Sequence, residues 1–169
     1  MTDDNSTDYE SRVAEQLEQF RNPERLIGLP ASFKYWNENF IAPKIRKEFG
    51  HSSIFKVYAD AFAESIAKSS STRILSVGCG DASNEIHIAE EMIQNGVEDF
   101  VFDATELSTD RLKVAESRVA ERGLEKHFNL TELDVNTWEA KPDSYAGAMA
   151  QHTLHHITCL LYTSPSPRD

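Results

Sequence analysis

The sequence predicts an α/β protein: a parallel sheet with flanking helices, of which the first four strands are visible, preceded by an N-terminal helical segment. Three observations predict it. From residue 73 onward, short apolar runs alternate with amphipathic stretches of helical length. The first run, Ile74 to Val77, strikes Gly78-Cys79-Gly80 and passes straight into a helical pattern. The first 70 residues lack the alternation and carry aromatic residues at helical spacing. Strands alternating with helices imply right-handed crossovers, and those lay the strands in parallel.

Residues 1–8 are polar and are expected to be disordered. Residues 9–70 form the helical segment. From about Asp8 to Phe20, Val13, Leu17 and Phe20 share one face, and Pro23, Gly28 and Pro30 break the pattern. A second stretch carries Phe33, Trp36, Phe40 and Ile41, with Pro43 kinking or restarting it. A third starts near Ser52 as N-cap and carries Phe55, Tyr58, Phe62 and Ile66. These aromatic stripes are expected to pack as a helical layer on the sheet; a ligand lid is the alternative.

Residues 71–157 form the sheet domain. Strand one is Ile74 to Val77, followed by a helix over Ala82 to Asn95 with Ile86, Ala89 and Ile93 inward and Gly96 as its stop. Asp99 to Thr105 is strand two. Thr109 to Arg122 is a helix, capped by Ser108 or Thr109 and stopped by Gly123. Phe128 to Asp134 is strand three. Tyr145 to Ala150 is strand four, small and apolar enough to be fully buried.

Composition narrows the function. The chain has 169 residues, 40% hydrophobic and 27% charged, which suits a single globular domain. Its net charge of −11, with no basic run, points away from the nucleic-acid backbone as a partner. No apolar run approaches the ~20 residues of a membrane span. An acidic N-terminus does not suit a signal peptide, and two cysteines, Cys79 and Cys159, suit a reducing compartment, so the cytoplasm is the expected location.

The chemistry gathers at the strand ends. Gly78 allows a sharp turn, Gly80 lets backbone approach a ligand, and the next helix aims free N–H groups at it. An acid roughly 20 residues further on can accept both hydroxyls of a ribose. Glu106 and Asp103 compete for this, and Glu106 is preferred because it directly precedes the Leu107-Ser108 turn. Asp134, ending strand three, can accept the exocyclic amine of an adenine while Val135 packs on the ring. Strand four leads into Gln151-His152-Thr153-Leu154-His155-His156-Ile157. All four loops belong to one edge of a parallel sheet, where ligands bind.

In combination these motifs resemble the class I S-adenosylmethionine-dependent methyltransferases, which have a Rossmann-like sheet. The matching residues are Leu75-Ser76-Val77-Gly78-Cys79-Gly80-Asp81, Glu106-Leu107-Ser108, Leu133-Asp134-Val135 and Leu154-His155-His156-Ile157. The resemblance implies S-adenosyl-L-methionine as cofactor and in-line methyl transfer to an acceptor. It implies that Gly78, Cys79 and Gly80 line the methionine moiety. Glu106, with Leu107, would hold the ribose, Asp134, with Val135, the adenine, and Gln151 would lie near the methionine end. Two positions depart from the family pattern: Ser76 stands where an acid is frequent, and Ala82 replaces a third glycine.

Cys79 is read as space-filling rather than nucleophilic. His152 is a candidate general base, since its pKa suits proton transfer. His152, His155 and His156 lack a clear fourth ligand, and no metal site is expected. A small molecule is the expected acceptor, with lipids, sugars and proteins as the other classes. The rival readings are a nicotinamide-dependent oxidoreductase, disfavoured because Ser83 stands where the last glycine of its fingerprint belongs, and a non-catalytic Rossmann-like binding protein.

Residues 158–169 fit neither helix nor strand, and Pro165 and Pro167 forbid both. From Cys159 onward they resemble translated sequencing-adapter read-through, which implies a fragment lacking the later strands and much of the acceptor pocket. Such a fragment is expected to be poorly soluble and without turnover, because strand four would be left as an open edge.

Overall fold

A computed structural model of the chain describes residues 9, 11, 13, 14, 18, 30–139, 141–151, 153, 154 and 157. Among them, four strands form one sheet: β1 (Arg73–Val77), β2 (Val101–Glu106), β3 (Phe128–Glu132) and β4 (Gly147–Met149). Their order is β3-β2-β1-β4 and every pairing is parallel. This is the Rossmann-like α/β arrangement that the strand–helix alternation predicts.

Helices α1 (Ala31–Trp36) and α2 (Ala42–Phe49) are joined by a π-helical turn over Asn37–Ile41. The cause is local. Pro43 sits in the first turn of α2, has no N–H to give back to the preceding turn, and forces the widening. Asn39 Nδ2 donates to the Tyr35 carbonyl at 2.8 Å. Tyr9, Ser11, Val13, Ala14 and Glu18 are helical, while Leu17 and Phe20 lie outside the described residues.

Helix α3 (Ile54–Lys68) starts one residue later than expected: Ser53, not Ser52, is the N-cap, and its Oγ accepts from Lys56 N at 3.4 Å. Helix α4 (Ser83–Gln94) follows β1, and α5 (Thr109–Glu121) follows β2 with Ser108 as N-cap.

All three helices cover one face. Register aligns Ile74, Phe102 and Phe128 in one row and Ser76, Ala104, Leu130 and Met149 in another. The first row and Met149 share a single core with Phe62 of α3, Ile86, Ala89 and Met92 of α4, and Ala115 and Val119 of α5. Each large side chain buried there contributes about 1.5–3 kcal/mol. An exposed pair such as Lys68–Glu64 contributes little beside this, so apolar packing holds the helical layer in place.

Two expectations need correction. Only α3 packs as the expected layer. Phe33, Tyr35, Trp36, Phe40 and Phe49 of the α1–α2 segment are exposed among the described residues, because these elements contact mainly one another. Strand β4 is not fully buried: Met149 is, but Ala148 is exposed, since β4 is an edge of the described sheet. It is also shorter than the apolar run Tyr145 to Ala150 suggests.

Candidate functional site

Parallel pairing brings the carboxyl ends of all four strands to one edge, and the glycine loop lies at its centre, between β1 and α4. Gly78, Gly80 and Ala82 all adopt positive φ, at 68°, 61° and 58°. At Gly78 a Cβ would meet the Thr153 side chain at 2.3 Å, so glycine is required by space as well as by conformation. The Thr153 hydroxyl donates to the Gly78 carbonyl at 3.1 Å and ties the loop after β4 to the loop after β1. At Gly80 the Arg111 guanidinium carbon lies 3.4 Å from where a Cβ would stand. Ala82 is buried in a conformation that costs a non-glycine residue ~1–2 kcal/mol. The sequence departure at this position is therefore accommodated with strain.

Glu106 ends β2 and reaches across to the glycine loop. Its Oε2 accepts from Gly80 N at 2.9 Å, and its Oε1 accepts from Leu107 N at 2.9 Å and Ser108 N at 3.0 Å. A carboxylate has about four acceptor positions, so roughly one remains for a ligand hydroxyl. Asp103 is held otherwise: Arg73 Nε donates to it at 2.6 Å and Asn129 Nδ2 at 2.9 Å, inside the sheet. Of the two acids, Glu106 meets the glycine loop and Asp103 does not.

Asp134 lies after β3 on the same edge. Asn136 donates to its Oδ1 from both backbone and side chain, each at 2.9 Å, and the Tyr9 hydroxyl donates to Oδ2. Burial raises its carboxyl, but the Tyr9 and Asn136 hydrogen bonds outweigh burial and leave it below the ordinary carboxylate range. Leu107 and Val135 are half-buried beside these acids. The N-terminal helix thus touches the candidate adenine end through Tyr9, a contact that the sequence does not announce.

Cys79 is buried, packed with Ala104 and Leu112, and its backbone N–H is spent on the Thr105 carbonyl at 2.9 Å. Burial, then the nearby Glu85 and Glu106 carboxylates, push its thiol well above the usual range. A thiol so disposed is a poor nucleophile, which agrees with its space-filling reading.

The least expected residue is Glu85. It sits in the first turn of α4, 2% exposed, and accepts from Ser76 Oγ at 2.6 Å. Burial raises its carboxyl despite that bond. Its Oε2 has no hydrogen-bond partner among the described residues, and neither does Oε1 of Gln151. Helical spacing placed Ile86 and Ala89 inward but gave no sign that the neighbouring glutamate is buried with them. A polar Ser76 in an otherwise apolar strand was the available clue.

His152, His155 and His156 lie outside the described residues. Among the described residues no three His, Cys, Asp or Glu side chains are grouped to hold a metal, and no helix is long and apolar enough to cross a membrane.

The edge as a whole gathers a glycine loop packed against Thr153 and Arg111, acids at or just past two strand ends, and two buried acceptors without donors among the described residues. No family model matches the chain, and no curated protein does. Solved structures do. An S-adenosyl-L-methionine-dependent methyltransferase from Geobacter sulfurreducens, in complex with S-adenosyl-L-homocysteine, is 15% identical over 68% of this chain and 45% of its own, with a TM-score of 0.44. A Methanococcus maripaludis protein assigned as a methyltransferase of the same dependence is 16% identical over 72% of this chain and 49% of its own, with a TM-score of 0.49. The [4+2]-cyclase SpnF is 19% identical over 55% of this chain and 32% of its own, with a TM-score of 0.42. The chain therefore spans less than half the length of each of these three proteins, and its likeness to them is one of fold.

Proposed function

We propose that this chain is the cofactor-binding part of an S-adenosylmethionine-dependent methyltransferase. The observation that carries the reading is the grip of Glu106 on Gly80 N, at 2.9 Å, which locks the acid of one strand end to the glycine loop of the next. Asp134 stands at the following strand end on the same edge.

When bound, the cofactor supplies a methyl group activated on a sulfonium. The protein's part is to hold and orient. Gly78 and Gly80 let the backbone come close at the methionine end, where Cys79 contributes backbone and filling. Glu106 accepts from a ribose hydroxyl at its remaining acceptor position, with Leu107 beside it. Asp134 accepts from the adenine amine, with Val135 against the ring. Gln151 lies toward the methionine end. His152 is the candidate to take a proton from the acceptor. Direct displacement needs little more than alignment and exclusion of water, so no catalytic triad is called for. The acceptor class that suits the acidic chain is a small molecule.

Calorimetry on the full chain with S-adenosylhomocysteine tests the reading. Glu106→Ala should weaken binding ~10- to 150-fold, the loss of one charge-assisted hydrogen bond. Tighter binding of a nicotinamide dinucleotide than of the adenosyl ligand would replace this reading with an oxidoreductase.

A further inference from the structure

Ser76 stands where the resembled family often has an acid, and yet a carboxylate is present at the spot. It comes from the helix. Glu85 reaches from α4 to the Ser76 hydroxyl at 2.6 Å and is 2% exposed. A carboxylate placed so deep costs stability unless its oxygens are matched, and only one of them is. Oε2 has no donor among the described residues.

A second acceptor shares the deficit. Ser76 pairs with Met149 across β1 and β4, and Gln151 follows two residues later, at the carboxyl end of the sheet. Thr153 Oγ1 lies 3.1 Å from both the Gln151 and Gly78 carbonyls, which fixes Gln151 beside the glycine loop. The Gln151 side-chain oxygen is buried and also without a donor among the described residues. Two unmatched acceptors, one of them a carboxylate, flank the loop. A cation with several N–H donors is the chemistry that matches such acceptors.

We infer that Glu85, positioned by Ser76, and Gln151 receive the ligand's ammonium group, the helix supplying the carboxylate that the strand lacks. This rests on the adenosyl-cofactor reading above. It assigns the ammonium contact to residues that the motif pattern does not mark, and it makes Ser76 and Glu85 a matched pair.

The test uses the full chain and two ligands: S-adenosylhomocysteine, which carries the ammonium, and 5′-methylthioadenosine, which lacks the amino-acid end. Calorimetry on Glu85→Gln should show S-adenosylhomocysteine weakened ~10- to 150-fold. The 5′-methylthioadenosine affinity should stay within about twofold, because its contacts are remote from the change. Glu85→Asp, which draws the carboxylate back by one methylene, should show the same selectivity and serves if the Gln variant does not fold. Equal loss for both ligands, or no loss for either, overturns the inference while leaving the cofactor reading intact. Failure of the unaltered chain to bind either ligand overturns the cofactor reading itself.

Discussion

The two sides of the glycine loop carry carboxylates of opposite character. On the β2 side, Glu106 accepts three backbone N–H groups and is half-exposed at the strand end. On the α4 side, Glu85 is buried, with the Ser76 hydroxyl as its side-chain partner among the described residues. Glu106 has three of its roughly four acceptor positions filled by backbone N–H groups and ties β2 to the glycine loop. Glu85 has Oε1 matched by Ser76 and Oε2 without a donor among the described residues. The contrast shows how one loop can be prepared in two ways, by filling its acceptors in advance and by leaving them open.

Changing the loop backbone should break both sides at once and have the largest effect. Gly78→Ala combines a disfavoured φ with a clash against Thr153, and should cost about 2–5 kcal/mol in urea unfolding. Gly96→Ala has a similar φ of +81° but open space around it, and should cost only about 1 kcal/mol. Equal losses would mean that the Thr153 contact does not constrain the loop. Next in size is the loss of cofactor affinity in Glu106→Ala.

The Glu85 side is sharpened by pH. An ordinary glutamate ionises near pH ~4.3, and burial raises Glu85 above that. At low pH it is protonated in both folded and unfolded chains and costs nothing. As pH rises the unfolded chain releases its proton first, so the folded state loses stability until pH passes the folded value. Glu85→Gln has no proton to release. Without ligand it should unfold at higher urea than the parent near pH 7, and the gap should close below about pH 4. A gap independent of pH would show that the carboxyl does not titrate differently on folding.

The smallest effect concerns Cys79, which lies between the two acids. Buried, and raised first by burial and then by Glu85 and Glu106, its thiol should resist iodoacetamide near pH 8 in the folded chain and react on unfolding. Peptide mapping at Cys79 reads this directly, and fast native labelling would contradict the burial.

Much of the layout was legible because it is local. The alternation of apolar runs and helical stretches carried the α/β class, and the turn at Gly78 and the acids Glu106 and Asp134 were visible at or just past strand ends. The errors were failures of local signals to report neighbours. The aromatic stripe of α1 and α2 looked like core and is exposed, because helical spacing says which residues share a face and nothing of what covers that face. Ala148 looked buried because an apolar strand does not record whether it lies at the middle or the edge of a sheet.

The sequence by itself determined the order of strands and helices, the positive-φ glycine turn, and the acids at the end of β2 and just past β3. These depend on periodicity and on residue type within a few positions. Only the tertiary structure decided that the loop's second carboxylate is Glu85, that Ser76 and Thr153 hold its surroundings, and that Tyr9 reaches Asp134 across 125 residues of chain. Those contacts join residues far apart in the chain, and burial and hydrogen-bond satisfaction have values only once the chain is folded.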